Sequence, residues 1–269
     1  MNHLIQNKFT NMKTYNFDVE KNVQNCIQWI KEWFEKNGKG CNAIIGLSGG
    51  KDSTIVAALC AKALGTERVV GVAMPDRGQD INDADKIAEY LGIKFLVLPI
   101  GDICDGFNTA SDIYIDWSVQ TQQNIPPRIR MTMLYAVAQT YNGRVANTCN
   151  LSENYVGYAT LFGDSAGSFS PLGNMTVTEI YAMGDYLGIP EKWVHKIPDD
   201  GLPHSSSDED KFGFTYAELD MYIREQKKPN GYCSNDKDTL KIDKILSMHN
   251  NSRFKEAILN IPTFPYRLC

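Results

Sequence analysis

The chain predicts an α/β fold, a doubly wound parallel sheet of about five strands flanked by helices. Three observations carry this. Strand-like and helix-like segments alternate from Asn42 to Leu98, the order that builds parallel sheets through crossover helices. A Gly-rich turn joins the first strand to its helix, where open α/β sheets place their ligands. The composition of the 269 residues, 43% apolar and 22% charged, is globular and excludes disordered, collagenous and coiled-coil classes.

The elements follow in order. Val19, Val23, Cys26, Ile27, Ile30, Trp33 and Phe34 repeat at three and four, predicting a helix over Asp18 to Lys36 ended by Asn37-Gly38-Lys39-Gly40. Residues 1–16 read as a flexible extension ahead of a single domain covering the chain. Asn42 to Leu47 is a short buried strand, and Thr54 to Leu64 is its helix. Val69 to Met74 is a second strand broken by Pro75, Asp80 to Leu91 a helix, and Lys94 to Leu98 a third strand. A long helix from Ile125 to Tyr141 is opened by Pro126-Pro127 and closed by Asn142-Gly143, and Val145 to Thr148 is a fourth strand. Leu151 to Ser170 lacks periodicity and reads as loops. Val177 to Leu187, Phe214 to Arg224 and Lys237 to Met248 are helices. Lys196 to Asp210, polar with two prolines, is the candidate lid. The pattern is Rossmann-like.

Lys plus Arg number 27 and Asp plus Glu 32, a net charge of −5, so a basic footprint for nucleic acid is absent. No window approaches the ~18 apolar residues that span a bilayer. The seven cysteines are odd in number and form no C-x-x-C pair, which points to a reduced, cytoplasmic compartment rather than a disulfide framework. The histidines at 195, 204 and 249 share no spacing and have no neighbouring cysteine, so they do not read as a metal centre.

The sharpest feature is Gly46-Leu47-Ser48-Gly49-Gly50-Lys51-Asp52-Ser53. Gly49 and Gly50 let backbone N–H groups approach an anion, Ser48 and Ser53 add hydroxyls, and the helix N-terminus adds its dipole. The loop is a phosphate cradle. Asp52 would repel a bare phosphate, so its presence suggests an intervening Mg2+. The loop is not the common P-loop, because Asp52 follows Lys51 where that motif needs Ser or Thr.

Ser48-Gly49-Gly50-Lys51-Asp52-Ser53 resembles the S-G-G-x-D-S signature of the adenine-nucleotide α-hydrolase-like ATP pyrophosphatases, which adenylate a carbonyl or carboxyl oxygen. Further stretches resemble the ammonia-dependent NAD synthetases. Pro127-Arg128-Ile-Arg130-Met-Thr-Met-Leu-Tyr135 is similar to that family's A-R-x-R-M-x-x-L-Y helix, and Asn147-Thr148-Cys-Asn-Leu-Ser-Glu153 with Gly157-Tyr158 to its G-T-x-x-x-E-x-x-x-G-[FY]. Phe162-Gly163-Asp164, Ser170-Pro-Leu172, Asp208-Glu-Asp210 with Gly213 to Tyr216 and Leu219-Asp220, and Arg253-Phe254-Lys255 before Pro262 resemble its remaining motifs.

The resemblance implies amidation of deamido-NAD+ with ammonia, driven by ATP, through an adenylated intermediate that yields NAD+, AMP and pyrophosphate. It implies ATP binding by Gly46 to Ser53, Met74 and Thr148. Asp52 and Glu153 would hold Mg2+, and Arg128, Asp164 and Lys255 would bind deamido-NAD+. Asp52, Lys51 and Lys255 are the candidate catalytic residues. It also implies a homodimer and a supply of free ammonia or a donor protein, since no glutaminase domain is expected in this length. On the residues alone, Arg128 and Arg130 read equally as solvated charges, Glu153 as a loop or first-turn acid, and Asp164 as a turn cap.

The chain departs from the family pattern at five positions. Leu161 and Val177 stand where lysines are usual, Ser168 for an acid, Asp199 for threonine and Phe254 for histidine. Lys51, where an aliphatic residue is commoner, is the candidate to restore one positive charge. The departures keep two alternatives open: an ATP-pyrophosphatase ligase with another substrate, or a non-catalytic nucleotide sensor.

Overall fold

The computed structural model describes residues 17–111, 114–196, 208–225 and 236–265. The expected N-terminal extension and residues 197–207 of the candidate lid, with Asp199 and His204, lie outside the described residues, while Asp208 to Asp210, expected as lid loop, open a short helix.

Helix α1 (Val19–Asn37) starts where the Asp18 carboxylate accepts the Lys21 N–H at 3.0 Å. Its apolar stripe of Val23, Cys26, Ile27, Ile30 and Phe34 is buried. Strand β1 (Asn42–Gly46) leads into α2 (Lys51–Leu64), then β2 (Val69–Ala73), α3 (Asn82–Leu91) and β3 (Lys94–Val97). Helices α4 (Gly101–Ser111) and α5 (Val119–Thr140) precede β4 (Gly143–Val145). The sheet is parallel in the order β3-β2-β1-β4.

One face of the sheet packs on α1, α2, α3 and α7 (Val177–Tyr186) through Ala43, Ile45, Ile55, Leu59, Ile87 and Ile180. The other packs on α4 and α5 through Ile44, Val72, Cys104, Met131, Leu134 and Val137. Helices cover both faces, which explains why β2 is buried at every position.

The sheet has four strands among the described residues, not about five. The fourth is earlier and shorter than the expected Val145 to Thr148. Ala146 N–H still bonds to the Ile44 carbonyl, but Asn147 N–H turns to that of Phe169 at 2.8 Å. The chain leaves the sheet to make a single parallel bridge, Ala146 to Phe169.

Helix α5 begins six residues before the expected Ile125 and contains both prolines. Ser118 caps it by accepting the Thr121 N–H at 3.2 Å. The carbonyls that lose helical partners to the prolines belong to Gln122 and Gln123, both exposed, where water can satisfy them. The segment read as loops contains α6 (Leu151–Val156).

Beyond α7, α8 (Glu191–Val194) and α9 (Asp208–Phe212) are short. Helix α10 (Tyr216–Glu225) follows, and α11 (Asp236–Leu259) runs well past the expected Met248. Helices α6, α9, α10 and α11 share a small core of Val156, Phe212, Leu219 and Ile245. Cys26, Cys41, Cys60, Cys104 and Cys149 are buried and unpaired.

Candidate active site

Because β2, β1 and β4 are adjacent and parallel, their carboxyl ends share one edge. That edge gathers the loop Gly46–Ser53, Met74 and, two residues beyond Ala146, Thr148. Gly49 has φ +83°, and a Cβ there would lie 3.1 Å from Asp83 Cβ and 3.3 Å from Ala84 N, so only glycine fits against α3. The Ser48 and Ser53 hydroxyls lie 3.2 Å apart. Ser48 Oγ accepts the Gly50 N–H and Ser53 Oγ the Ser48 N–H, each at 3.3 Å. These bonds are long and weak, so an incoming phosphate oxygen can take over the donors. Thr54 Oγ1 donates to the Gly50 carbonyl at 2.7 Å and fixes the start of α2.

Asp52 and Glu153 are brought together by Asn150, which is fully buried. Asn150 Nδ2 donates to Asp52 Oδ1 at 3.3 Å, and its backbone N–H donates to Glu153 Oε2 at 3.3 Å. Asn150 Oδ1 accepts the Glu153 N–H at 3.0 Å, which completes a capping box on α6. Burial and then the neighbouring Asp52 charge push the Glu153 carboxyl up to about 8, against the pull of Lys51. Lys51 Nζ donates to Asp52 Oδ2 at 2.8 Å. Burial opposes its charge, but Asp52 and Glu153 outweigh that and raise its pKa. Tyr216 sits close enough that burial, Glu153, Asp208 and Asp52 all raise its phenol.

Among the described residues no three His, Cys, Asp or Glu side chains cluster to hold a metal by themselves. Mg2+ does not need such a cage, since it is commonly held by one or two carboxylates with substrate phosphates and water completing the shell. Asp52 and Glu153, beside a phosphate cradle, fit that pattern.

The other expected substrate residues meet around the turn after α6. Arg128 Nε donates to the Leu161 carbonyl at 3.2 Å. Lys255 Nζ, from α11, donates to the Gly157 and Ala159 carbonyls at 2.8 and 2.7 Å. Asp164 Oδ1 accepts the Thr160 N–H at 2.9 Å, so it does cap a turn. Burial raises the Asp164 carboxyl and lowers Lys255, while the two attract one another. Cys149 lies between the two groups, and burial followed by Asp164, Glu153 and Asp52 raises its thiol.

The departures have distinct fates. Val177 is 2% exposed, and its N–H donates to Ser152 Oγ at 3.0 Å. One turn further along α7, the Tyr181 ring lies 5.7 Å from Lys51 Nζ. Leu161 offers its backbone carbonyl rather than its side chain, Ser168 N–H bonds to the Val145 carbonyl, and Phe254 is exposed.

Residue-level reading missed Asn150, although Asn150-x-x-Glu153 is a capping-box pattern that could have revealed it. Arg130, open to a reading as a solvated charge, donates instead to the Met74 carbonyl and to Gln79 Oε1, each at 3.0 Å, and so ties α5 to the end of β2. The buried Asp220 accepts from Ser152 Oγ, Thr178 N–H and Thr178 Oγ1 at 2.5, 2.8 and 2.6 Å, locking α6 to α7.

A parallel sheet whose carboxyl edge carries a glycine-serine phosphate cradle beside paired carboxylates defines a nucleotide-using α/β enzyme. The model of the NAD synthase family matches residues 22–258, and the chain belongs to that family. It is 36% identical over 245 residues to the NH(3)-dependent NAD(+) synthetase of Archaeoglobus fulgidus, covering 90% of this chain and 96% of that one. With the synthetase of the same name from Staphylothermus marinus it is 35% identical over 93% of this chain and 94% of the relative. Two solved structures share the fold. The NMN synthetase of Francisella tularensis has a TM-score of 0.78 at 30% identity, covering 89% and 96% of the two chains. An NH3-dependent NAD synthetase from Campylobacter jejuni has a TM-score of 0.69 at 27% identity with the same coverage.

Proposed function

We propose that this site performs the NAD synthase reaction with the residues assembled above. The chain is a ligase that forms a carbon–nitrogen bond: deamido-NAD+, ATP and ammonia give NAD+, AMP and pyrophosphate. The nicotinate carboxylate attacks the α-phosphate of ATP, pyrophosphate leaves, and an acyl adenylate forms. Ammonia then adds to the acyl carbon, AMP departs with the C–O electron pair, and the nitrogen sheds a proton.

Ser48, Gly49, Gly50 and Ser53 hold the pyrophosphate, with Gly46 and Leu47 carrying the loop off β1. Met74 and Thr148, on the flanking strand ends, bind the rest of ATP. Asp52 and Glu153 would hold Mg2+, which would supply neutralising charge for the leaving group. Lys51 adds positive charge to the same end. Arg128, Asp164 and Lys255 bind deamido-NAD+, with Lys255 closing the turn after α6. Catalysis is then chiefly positioning and charge stabilisation.

The observation that carries this reading is the meeting of Asp52 and Glu153 at Asn150 beside the cradle. The test is to incubate the protein with ATP, Mg2+, ammonium and deamido-NAD+ and follow NAD+ and pyrophosphate together. Formation of both, abolished in Asp52→Ala and Glu153→Ala, supports the reading. Pyrophosphate release independent of deamido-NAD+ would sink it. A parallel arm with nicotinate mononucleotide is warranted by the likeness to an NMN synthetase, and faster turnover there would move the substrate to the mononucleotide.

A homodimer fits a groove of 360 Å³ on the outer side of α5, where Tyr135 and Phe162 are 44% and 57% exposed near the substrate helix arginine. Sedimentation of the purified protein checks it. No described helix is long and apolar enough to cross a membrane, and a cytoplasmic location rests on the cysteine pattern.

A further inference from the structure

Asp52 has two carboxylate oxygens, and both are engaged. Oδ1 accepts from Asn150 Nδ2 and Oδ2 from Lys51 Nζ. Each oxygen keeps a lone pair for a cation, but a cation arriving beside Lys51 Nζ meets a like charge unless the lysine moves. Asn150 is fully buried and uncharged, and its Oδ1 is anchored by the Glu153 N–H at 3.0 Å, so it neither repels a cation nor needs to move. Lys51 is held by one ion pair at the end of a four-carbon stem, a compact charge with rotatable donors.

Its position is otherwise unfavourable. Lys51 is the first residue of α2, at the positive end of the helix dipole, where cations are disfavoured. Its side chain is only 10% exposed. What offsets both costs is the ion pair with Asp52, whose Oδ2 lies 2.8 Å from the ammonium, with Glu153 beyond it across Asn150.

We propose that Lys51 is the resident counter-cation of the Asp52–Glu153 pair and surrenders Asp52 to Mg2+ as Mg2+ and ATP load, its ammonium passing to the pyrophosphate in the neighbouring loop. Lys51 is thus a positioning residue that sets the metal affinity of the nucleotide-free protein. The exchange breaks no covalent bond and moves no proton. It rests on the reading of Asp52 and Glu153 as metal ligands.

The test is Mn2+ binding to the nucleotide-free protein, followed by electron paramagnetic resonance, alongside calorimetry of pyrophosphate binding in saturating Mn2+. Lys51→Met should bind Mn2+ about tenfold more tightly, because a repelling, competing charge is gone. The same variant should bind pyrophosphate about tenfold more weakly, because a charged contact is lost. Lys51→Gln should shift both affinities in the same directions, which covers a folding failure of the first variant. Unchanged or weaker Mn2+ binding in the folded variant overturns the proposal, since a merely structural lysine would weaken both affinities. Asp52→Asn and Glu153→Gln separate the two readings: if neither weakens Mn2+ binding, the metal-ligand assignment itself has failed.

Discussion

The two ends of the site, proposed above for phosphate and for substrate, are built in different ways. At the phosphate end, one continuous loop between β1 and α2 supplies the glycines, hydroxyls, lysine and aspartate, and a single distant helix cap brings in Glu153. At the substrate end, Arg128, Asp164 and Lys255 come from α5, a turn and α11, and backbone carbonyls hold two of them. A side chain serves the first end by its identity. The second is held largely by the path of the main chain. At position 161 Arg128 takes only the backbone carbonyl, which every residue possesses.

The comparison can be broken by substitutions that should harm one end only. Asp52→Ala should lower kcat/KM roughly 10³-fold, the scale of losing a metal ligand and its charge stabilisation. Deamido-NAD+ binding by calorimetry should persist in that variant. If it vanishes, the two ends are not separable.

Helix α7 is tied to α10 through a buried ion pair, where Arg224 donates to both Glu179 oxygens at 2.7 and 2.5 Å. Arg224→Met leaves Glu179 buried without its counter-charge, and denaturant unfolding should show a loss of about 3–5 kcal/mol. A loss below about 1 kcal/mol would mean that α7 is held by packing alone.

Gly49→Ala forces a side chain at φ +83° against Asp83 and Ala84. About 1–3 kcal/mol of strain should appear as a tenfold or larger rise in the KM for ATP. The KM for deamido-NAD+ should stay within about twofold, a change worth under 0.5 kcal/mol. Lys255→Met should do the reverse. It removes two carbonyl contacts from the turn after α6, and the KM for deamido-NAD+ should rise about tenfold with ATP little affected.

A last prediction concerns pH. Glu153 is raised from 4.5 to about 8, and Asp220 from 3.8 to about 6, each chiefly by burial. Between the ordinary and the raised value the native state keeps a proton that the unfolded chain releases. The ligand-free protein should therefore lose stability as pH climbs through about 4 to 8. Denaturant midpoints across that range check the sign, and Glu153→Gln should flatten the upper part of the slope.

Much of this was legible in the residues. The sheet, its order of elements and the phosphate cradle follow from alternating apolar runs and a local motif, because each is specified by neighbours in the chain. Helix α6 was misread as loop because its six residues are too short for an apolar period. The start of α5 was misplaced because prolines read as a boundary, although solvent can satisfy the carbonyls they free. Strand β4 was set too late because nothing in residue type marks where the backbone after Val145 and Ala146 turns at Asn147 toward Phe169.

The sequence by itself determined the class of fold, the anion-binding loop and the family, since glycine spacing, hydroxyls and hydrophobic period are properties of adjacent residues. Only the tertiary structure decided that Asn150 joins Asp52 to Glu153, that Val177 is buried while Lys51 reaches the same helix, and that carbonyls hold Arg128 and Lys255. Those contacts form between segments far apart in the chain, and a backbone carbonyl or a desolvated charge leaves no mark on residue type.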